Sequence, residues 1–264
     1  MDLKLKNKKA LVTGSTAGIG LAIASSLLKE GASVIINGRS KGRIEQAIAL
    51  LQKEIPGCNV SGIVADFADV KHVDALVKKA GNIDILVNNI GIFEPKGFFD
   101  IPDKDWFNFF EVNVMSGVRL SRAFMSYMLQ QNWGRIIFIS SESGVLTPGE
   151  MIHYGTTKTA QLAVSRGLAE LTKGTAVTVN TVLPGPTWSE GASEFIKSLA
   201  KTQQLPVEQV EASFFKEERP TSLLQRFATV GEVASMVTYL VSPLASATNG
   251  AAVRVDGGVV KHIL

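Results

Sequence analysis

Of the three tyrosines in this chain only Tyr154 has a lysine four positions on, Lys158, and a serine, Ser141, stands thirteen residues before it. Residues four apart share a helix face, so the ammonium would favour the phenolate and let Tyr154 give and take a proton near neutral pH. By itself a Tyr-x-x-x-Lys spacing reads equally as a surface helix pair. Its weight comes from what surrounds it.

A glycine-rich turn, Thr13-Gly14-Ser15-Thr16-Ala17-Gly18-Ile19-Gly20, follows an apolar run at 9–13 and precedes an apolar-periodic stretch, Leu21 to Lys29. The run reads as a buried parallel strand and the stretch as a helix packed on a sheet. Glycines there let the backbone approach a pyrophosphate while the N–H groups of the helix start face the anion. The spacing Gly-x-x-x-Gly-x-Gly differs from the commoner Gly-x-Gly-x-x-Gly fingerprint.

The rest of the chain repeats the alternation of short apolar strands and longer helical patterns that marks a parallel sheet covered on both faces. Strands are expected near 9–13, 33–37, 60–65, 83–88, 134–139, 177–183 and 252–255, with the longest helices near 104–131 and 151–173. The expected architecture is α/β, a doubly wound seven-stranded parallel sheet in a single Rossmann-like domain over residues 1–264. Ligands bind such sheets beyond the carboxyl ends of the strands, where the glycine turn, Asp66, Asn89, Ser141 and Pro184 all fall. The stretch from Ser189 to Arg226 breaks the alternation with two helix-like pieces separated by Leu205-Pro206. A connection this long is usually functional or disordered.

Composition agrees. With 264 residues, 45% hydrophobic and 19% charged, the chain can bury a sizeable core. A net charge of +3, spread along the chain, gives no basic stripe for nucleic acid. The single cysteine, Cys58, forms no internal disulfide, which favours a reducing compartment. The polar start from Met1 to Lys9 lacks an apolar core for a signal peptide or membrane span, so a cytoplasmic location is expected. His72, His153 and His262 are far apart and give no metal-ligand spacing.

The motifs, in order, resemble those of the short-chain dehydrogenase/reductase family: Thr13 to Gly20, Asp66, Asn88-Asn89-Ile90-Gly91, Asn113, Ser141, Tyr154 with Lys158, Asn180, Pro184-Gly185-Pro186-Thr187 and Val255-Asp256-Gly257-Gly258. The resemblance covers nearly the whole chain. It departs at Ile90, where alanine is usual, and at Ala17, where many NADP-using members carry a basic residue. It implies an oxidoreductase in which Ser141 polarises a carbonyl, Tyr154 donates the proton and a hydride arrives from the nicotinamide. Lys158 would also bond the nicotinamide ribose, and Asn113 would kink its helix and hold a water. Gly14, Thr16, Gly18, Ile19 and Gly20 would cradle the nucleotide. Asp66, with Phe67 beside it, would receive the adenine, and Asn89 and Gly91 the adenosine ribose. Pro184 and Gly185 would shape the wall behind the nicotinamide, Thr187 would bond its carboxamide or a phosphate, and a substrate flap would span about 187–226.

Cofactor choice turns on the end of the second strand, where Gly38 occupies the family's acidic position and Arg39 follows. A guanidinium pairs bidentately with phosphate, so NADP(H) is preferred and NAD(H) remains possible. Pocket candidates are Phe93, Glu142, Leu146, Met151, His153, Trp188, Phe195, Phe214 and Phe215, a set that suits an apolar or aromatic carbonyl compound. Glu142 could bind a polar substrate group or be a solvated or ion-paired side chain. Two other functions compete. A 3-oxoacyl-thioester reductase would need a basic patch at the crevice mouth; Arg119 and Arg122 are candidates, yet the resemblance implies that their helix lies at a subunit interface. An idle NADP(H) sensor or scaffold would usually lack the tyrosine or the lysine. Apolar helices near 104–131 and 151–173, with an apolar carboxyl end through Leu264, point to a homo-oligomer, and the resemblance implies a tetramer or dimer.

Overall fold

The computed structural model describes residues 2–263, except the side chain of Phe195. The expectations attached to that ring, and to Met1 and Leu264, therefore lie outside the described residues. Seven strands form one parallel sheet in the order β3-β2-β1-β4-β5-β6-β9. They are β1 (Lys9–Val12), β2 (Ser33–Gly38), β3 (Val60–Val64), β4 (Ile85–Asn88), β5 (Gly134–Ile139), β6 (Val177–Pro184) and β9 (Ala252–Val255). Every neighbouring pair is parallel. Strand order reverses between β1 and β4, so a crevice opens there at the carboxyl edge.

Burial on both faces explains the continuous apolar strands. Leu11, Leu86 and Ile136 turn to one face and Val12, Val87 and Ile137 to the other. The first face is covered by α3 (Val70–Ala80), α5 (Ser116–Gln130) and α6 (Ile152–Glu170), through residues such as Leu76, Leu120 and Ala169. The second is covered by α1 (Gly18–Lys29), α2 (Lys41–Glu54) and α9 (Val230–Leu240), through Ile23, Leu51 and Val237. α9 starts at a capping box in which Thr229 and Glu232 exchange side-chain and backbone bonds.

Two local features depart from the periodicity. The single helix expected near 104–131 is α4 (Asp103–Phe109), a π-helical turn over Phe110–Met115, and α5. Bonds from outside the helix accompany the wider turn: Gln161 Nε2 donates to the Asn113 carbonyl at 2.6 Å. A small parallel pair, β7 (Thr187–Trp188) with β8 (Ala228–Thr229), joins the two ends of the long 189–226 stretch. Two-residue strands carry too few residues to show a period.

Between them lie α7 (Glu190–Gln203) and α8 (Val207–Glu217), split near Leu205-Pro206 as the sequence suggests. Gln204 ends α7 in the left-handed conformation, φ 55°. The two helices close on a satellite core of Ile196, Val210, Phe215 and Phe227.

Candidate active site

The glycine loop is held open by backbone geometry. Gly14 and Gly18 have φ of +58° and +57°, a region L side chains avoid. A Cβ on Gly20 would stand 2.4 Å from the Gly14 carbonyl oxygen. Ala17 precedes α1 without any side-chain cap, so no side chain competes for the first N–H groups of that helix. Asn89 fixes the loop by donating from Nδ2 to the carbonyls of Thr13 and Gly14, both at 3.0 Å. Its Nδ2 is thus engaged by the loop itself. Ile90 presses its Cδ1 to 3.0 Å from where a Gly14 Cβ would be.

At the end of β2, Gly38 is closed to larger residues, since a Cβ there would lie 2.6 Å from Thr16 Cγ2. An acidic side chain at this position would displace Thr16. Arg39 is exposed, and among the described residues it has no ion-pair partner. Arg43, in the first turn of α2, pairs with Glu190 at the start of α7. Asp66 lies beyond β3 and accepts from Ala68 N at 3.1 Å. The ring of Phe67 is buried in the sheet core, leaving only its backbone to face a ligand.

The acid/base candidates meet at the carboxyl ends of β4, β5 and β6, around a cleft of about 670 Å³. Ser141, Tyr154, Lys158, Gly91, Pro184 and Thr187 all line it. Lys158 Nζ donates to the Ile139 carbonyl at 2.9 Å and lies 5.6 Å from the centroid of the Tyr154 ring. Burial lowers its pKa to about 8. Gly91 leaves room there, because its Cβ would come within 3.3 Å of Nζ. Thr187 Oγ1 donates to the Gly185 carbonyl at 2.9 Å, and Gly185 is pinned against the Asp256 backbone, where a Cβ would approach to 2.6 Å.

Tyr154 corrects the simplest electrostatic expectation. Its phenol is pushed above the ordinary range by burial and then by the Glu142 carboxylate, with Ser141 and Arg219 opposing less strongly. The Lys158 charge does not offset these effects in the ligand-free protein. Asn113 does sit where its helix distorts, but its amide bridges backbone and side chain. Nδ2 donates to Ile92 O and Thr157 Oγ1, both at 3.0 Å, and Oδ1 accepts from Ile92 N at 2.8 Å.

The pocket candidates divide. Phe93, Glu142, Met151 and Phe214 line the cleft. Trp188 does not; its ring packs on Phe227 with centroids 5.1 Å apart, in the satellite core of α7 and α8. Phe215 is buried in the same cluster and Leu146 faces solvent. His153 is fully buried between Trp106 and Phe109, with neither ring nitrogen hydrogen-bonded, and desolvation lowers its pKa. Arg219, which follows α8, escaped the sequence reading. Its Nε lies 3.5 Å from Glu142 Oε1 and its Nη1 3.7 Å from Glu150 Oε1. The available signal was an arginine against Pro220, just beyond the second helix-like piece of the 189–226 stretch. Among the described residues, no three His, Cys, Asp or Glu side chains converge on a metal position, and no helix is long and apolar enough to cross a membrane.

A doubly wound sheet with a glycine loop at its switch point and a tyrosine-lysine cleft beside it defines a nicotinamide-dependent oxidoreductase. The family model for short chain dehydrogenases matches residues 8–199, and the chain belongs to the short-chain dehydrogenase/reductase family. It is 51% identical over 263 residues to the uncharacterized oxidoreductase YvaG of Bacillus subtilis, covering 100% of both chains. It is 32% identical to D-beta-hydroxybutyrate dehydrogenase of Cupriavidus necator, covering 97% of this chain and 99% of that one. The crystal structure of L-sorbose reductase from Gluconobacter frateurii, complexed with NADPH and L-sorbose, superposes with a TM-score of 0.94 at 31% identity over 100% of both chains. The protein is an NAD(P)-dependent dehydrogenase/reductase, and the space kept free by Gly14, Gly18 and Gly20 fits a dinucleotide phosphate.

Proposed function

We propose that the protein reduces a ketone of moderate size to a secondary alcohol with NADPH, with Tyr154 as proton donor. The observation that carries this reading is the meeting of Ser141, Tyr154 and Lys158 in one cleft beside the glycine loop. The nicotinamide, when bound, supplies a hydride to the carbonyl carbon. Ser141 hydrogen-bonds the carbonyl oxygen and Tyr154 gives it a proton, so the carbonyl becomes an alcohol. A phenol pushed above its ordinary range stays protonated near neutral pH, which suits a donor. Lys158, with a pKa of about 8, can return a proton to Tyr154 and bond the ribose. Asn113 holds the π-helical turn beside Lys158 and keeps Ile92 in place.

Thr16, Gly18, Ile19, Asp66, Asn89, Pro184, Gly185 and Thr187 would bound the cofactor, and α7 with α8 would form the flap within one domain. The closed space at Gly38 and the unpaired Arg39 support NADP(H) over NAD(H). Arg119 pairs with Glu111, which weakens a carrier-protein patch and hence the 3-oxoacyl-thioester alternative. Phe99 and Phe107, 98% and 73% exposed, support a homo-oligomer that covers them, testable by light scattering on the eluting protein. The free Cys58 supports a cytoplasmic location.

The direct test is NADPH and NADH consumption against a ketone panel, with Tyr154→Phe beside the native protein. The expected result is turnover with NADPH that disappears in the variant. Survival of the rate in Tyr154→Phe would remove the proton donor. Arg39→Ala should raise the KM for NADPH about 10-fold and leave that for NADH within about 2-fold, as expected for loss of a charge-assisted phosphate contact.

A further inference from the structure

A hydroxyl carries one proton, and Ser141 has already placed its own. Ser141 Oγ donates to Glu142 Oε2 at 2.5 Å and accepts from Ser143 N at 3.1 Å. Glu142 is only 6% exposed, and its other oxygen faces Arg219 Nε at 3.5 Å. Burial pushes the carboxyl pKa up, and Ser141 and Arg219 oppose that push. Under the reductase reading on which this step rests, Ser141 must turn its proton to the substrate carbonyl. Glu142 Oε2 then loses its short donor inside a cleft wall, and a buried acceptor left without a donor is costly.

We propose that Glu142 is a specificity-determining residue that selects ketones with a hydroxyl on the carbon next to the carbonyl, the substrate hydroxyl donating to the carboxylate oxygen that Ser141 releases. The geometry allows the exchange. Ser141 Oγ and Glu142 Oε2 are 2.5 Å apart, so a carbonyl oxygen bonded to Oγ lies within about 5.5 Å of Oε2, a span that a hydroxyl on the adjacent carbon can bridge. Arg219 engages Oε1, so the substrate has one oxygen to satisfy. Phe93, Met151 and Phe214 line the same cleft and offer apolar contact to the remaining carbon chain. A simple apolar ketone leaves Oε2 unpaired. A 2-oxo acid brings a second carboxylate against Glu142 and is disfavoured by like charge. The expected substrate class is therefore an α-hydroxy ketone, which narrows the apolar or aromatic carbonyl suggested by the aromatic residues alone.

The test compares kcat/KM with NADPH for 2-hydroxyacetophenone and 2-methoxyacetophenone, and for 1-hydroxybutan-2-one and 1-methoxybutan-2-one. The methoxy partners keep the inductive pull on the carbonyl and lack the proton. A ratio of two substrates on one preparation is independent of the fraction folded. In the native protein the hydroxy-to-methoxy ratio should be about 10². It should fall to about 10 in the isosteric Glu142→Gln and to about 1 in Glu142→Leu. Calorimetric titration of the same ketones into the native protein and Glu142→Gln, each saturated with NADP+, should give the same ordering of Kd without turnover. Equal kcat/KM for hydroxy and methoxy ketones in the native protein overturns the inference and leaves the reductase intact. So does a native ratio retained in both variants. No turnover of any ketone overturns the reductase reading and the inference with it.

Discussion

Lys158 and Arg135 are both buried cations, and each donates to a carbonyl at an end of β5, but at opposite ends. At the amino end, Arg135 Nη1 donates to Gly134 O and Ala176 O, both at 2.8 Å, and Nε donates to Ser242 O at 3.4 Å. Its guanidinium also lies over the Trp133 ring, 4.7 Å from the centroid. Lys158 has three donors and makes one described hydrogen bond, to Ile139 O, while the residue lines the cleft. Burial lowers both, Arg135 to about 10 and Lys158 to about 8. Desolvation alone therefore does not mark a functional group. A cation saturated by carbonyls clamps strand ends together, whereas one with donors to spare facing a cleft is available for chemistry.

Substitutions at the two positions should separate rate from stability. Lys158→Met should lower kcat/KM with NADPH about 10³-fold, within the range for loss of an acid/base partner, while the variant unfolds in urea no earlier than the native protein. A loss under 10-fold would erase the contrast. Arg135→Leu should do the reverse. Three carbonyls lose their donor, so stability should fall by about 3 kcal/mol in urea titration, with kcat of the folded protein within about 2-fold.

The pH dependence should sharpen the contrast further. The Lys158 pKa is depressed on folding, from an ordinary 10.5 to about 8, so between those values the unfolded chain binds more protons than the native one. Its contribution to stability is fully present above pH 10.5 and is lost as the pH falls through 8. The ligand-free protein should gain about 2 kcal/mol between pH 8 and pH 10, a gain that Lys158→Met should lack. The smallest effect belongs to a site with no buried charge. Thr229→Ala opens the capping box of α9 and should cost about 1 kcal/mol of stability with no change in kcat.

Several motif residues hold the backbone around the cleft. Asn180 donates from Nδ2 to Thr248 O at 2.8 Å and accepts from Ala251 N at 3.0 Å, tying β6 to the approach of β9. Asp256 accepts from Gly258 N and Val260 N and shapes the turn after β9. Asn89 holds the glycine loop by its own amide. Motif spacing records that these residues are required, but it does not separate contact with a ligand from support of the backbone that makes the contact.

The sequence by itself determined the strand order of events: seven apolar runs, the glycine loop after the first, the tyrosine-lysine pair on its helix and the break at 205–206. Each of these rests on local rules of period, turn chemistry and spacing, which act within a few residues. Tertiary structure decided what those rules cannot reach. It turned Trp188 into the core beneath α7 and α8, kept His153 out of the cleft, raised Tyr154 through burial and Glu142, and carried Arg219 from the end of α8 to meet Glu142 across 77 residues of chain. Burial and charge pairing depend on distance in space, and the fold sets that distance.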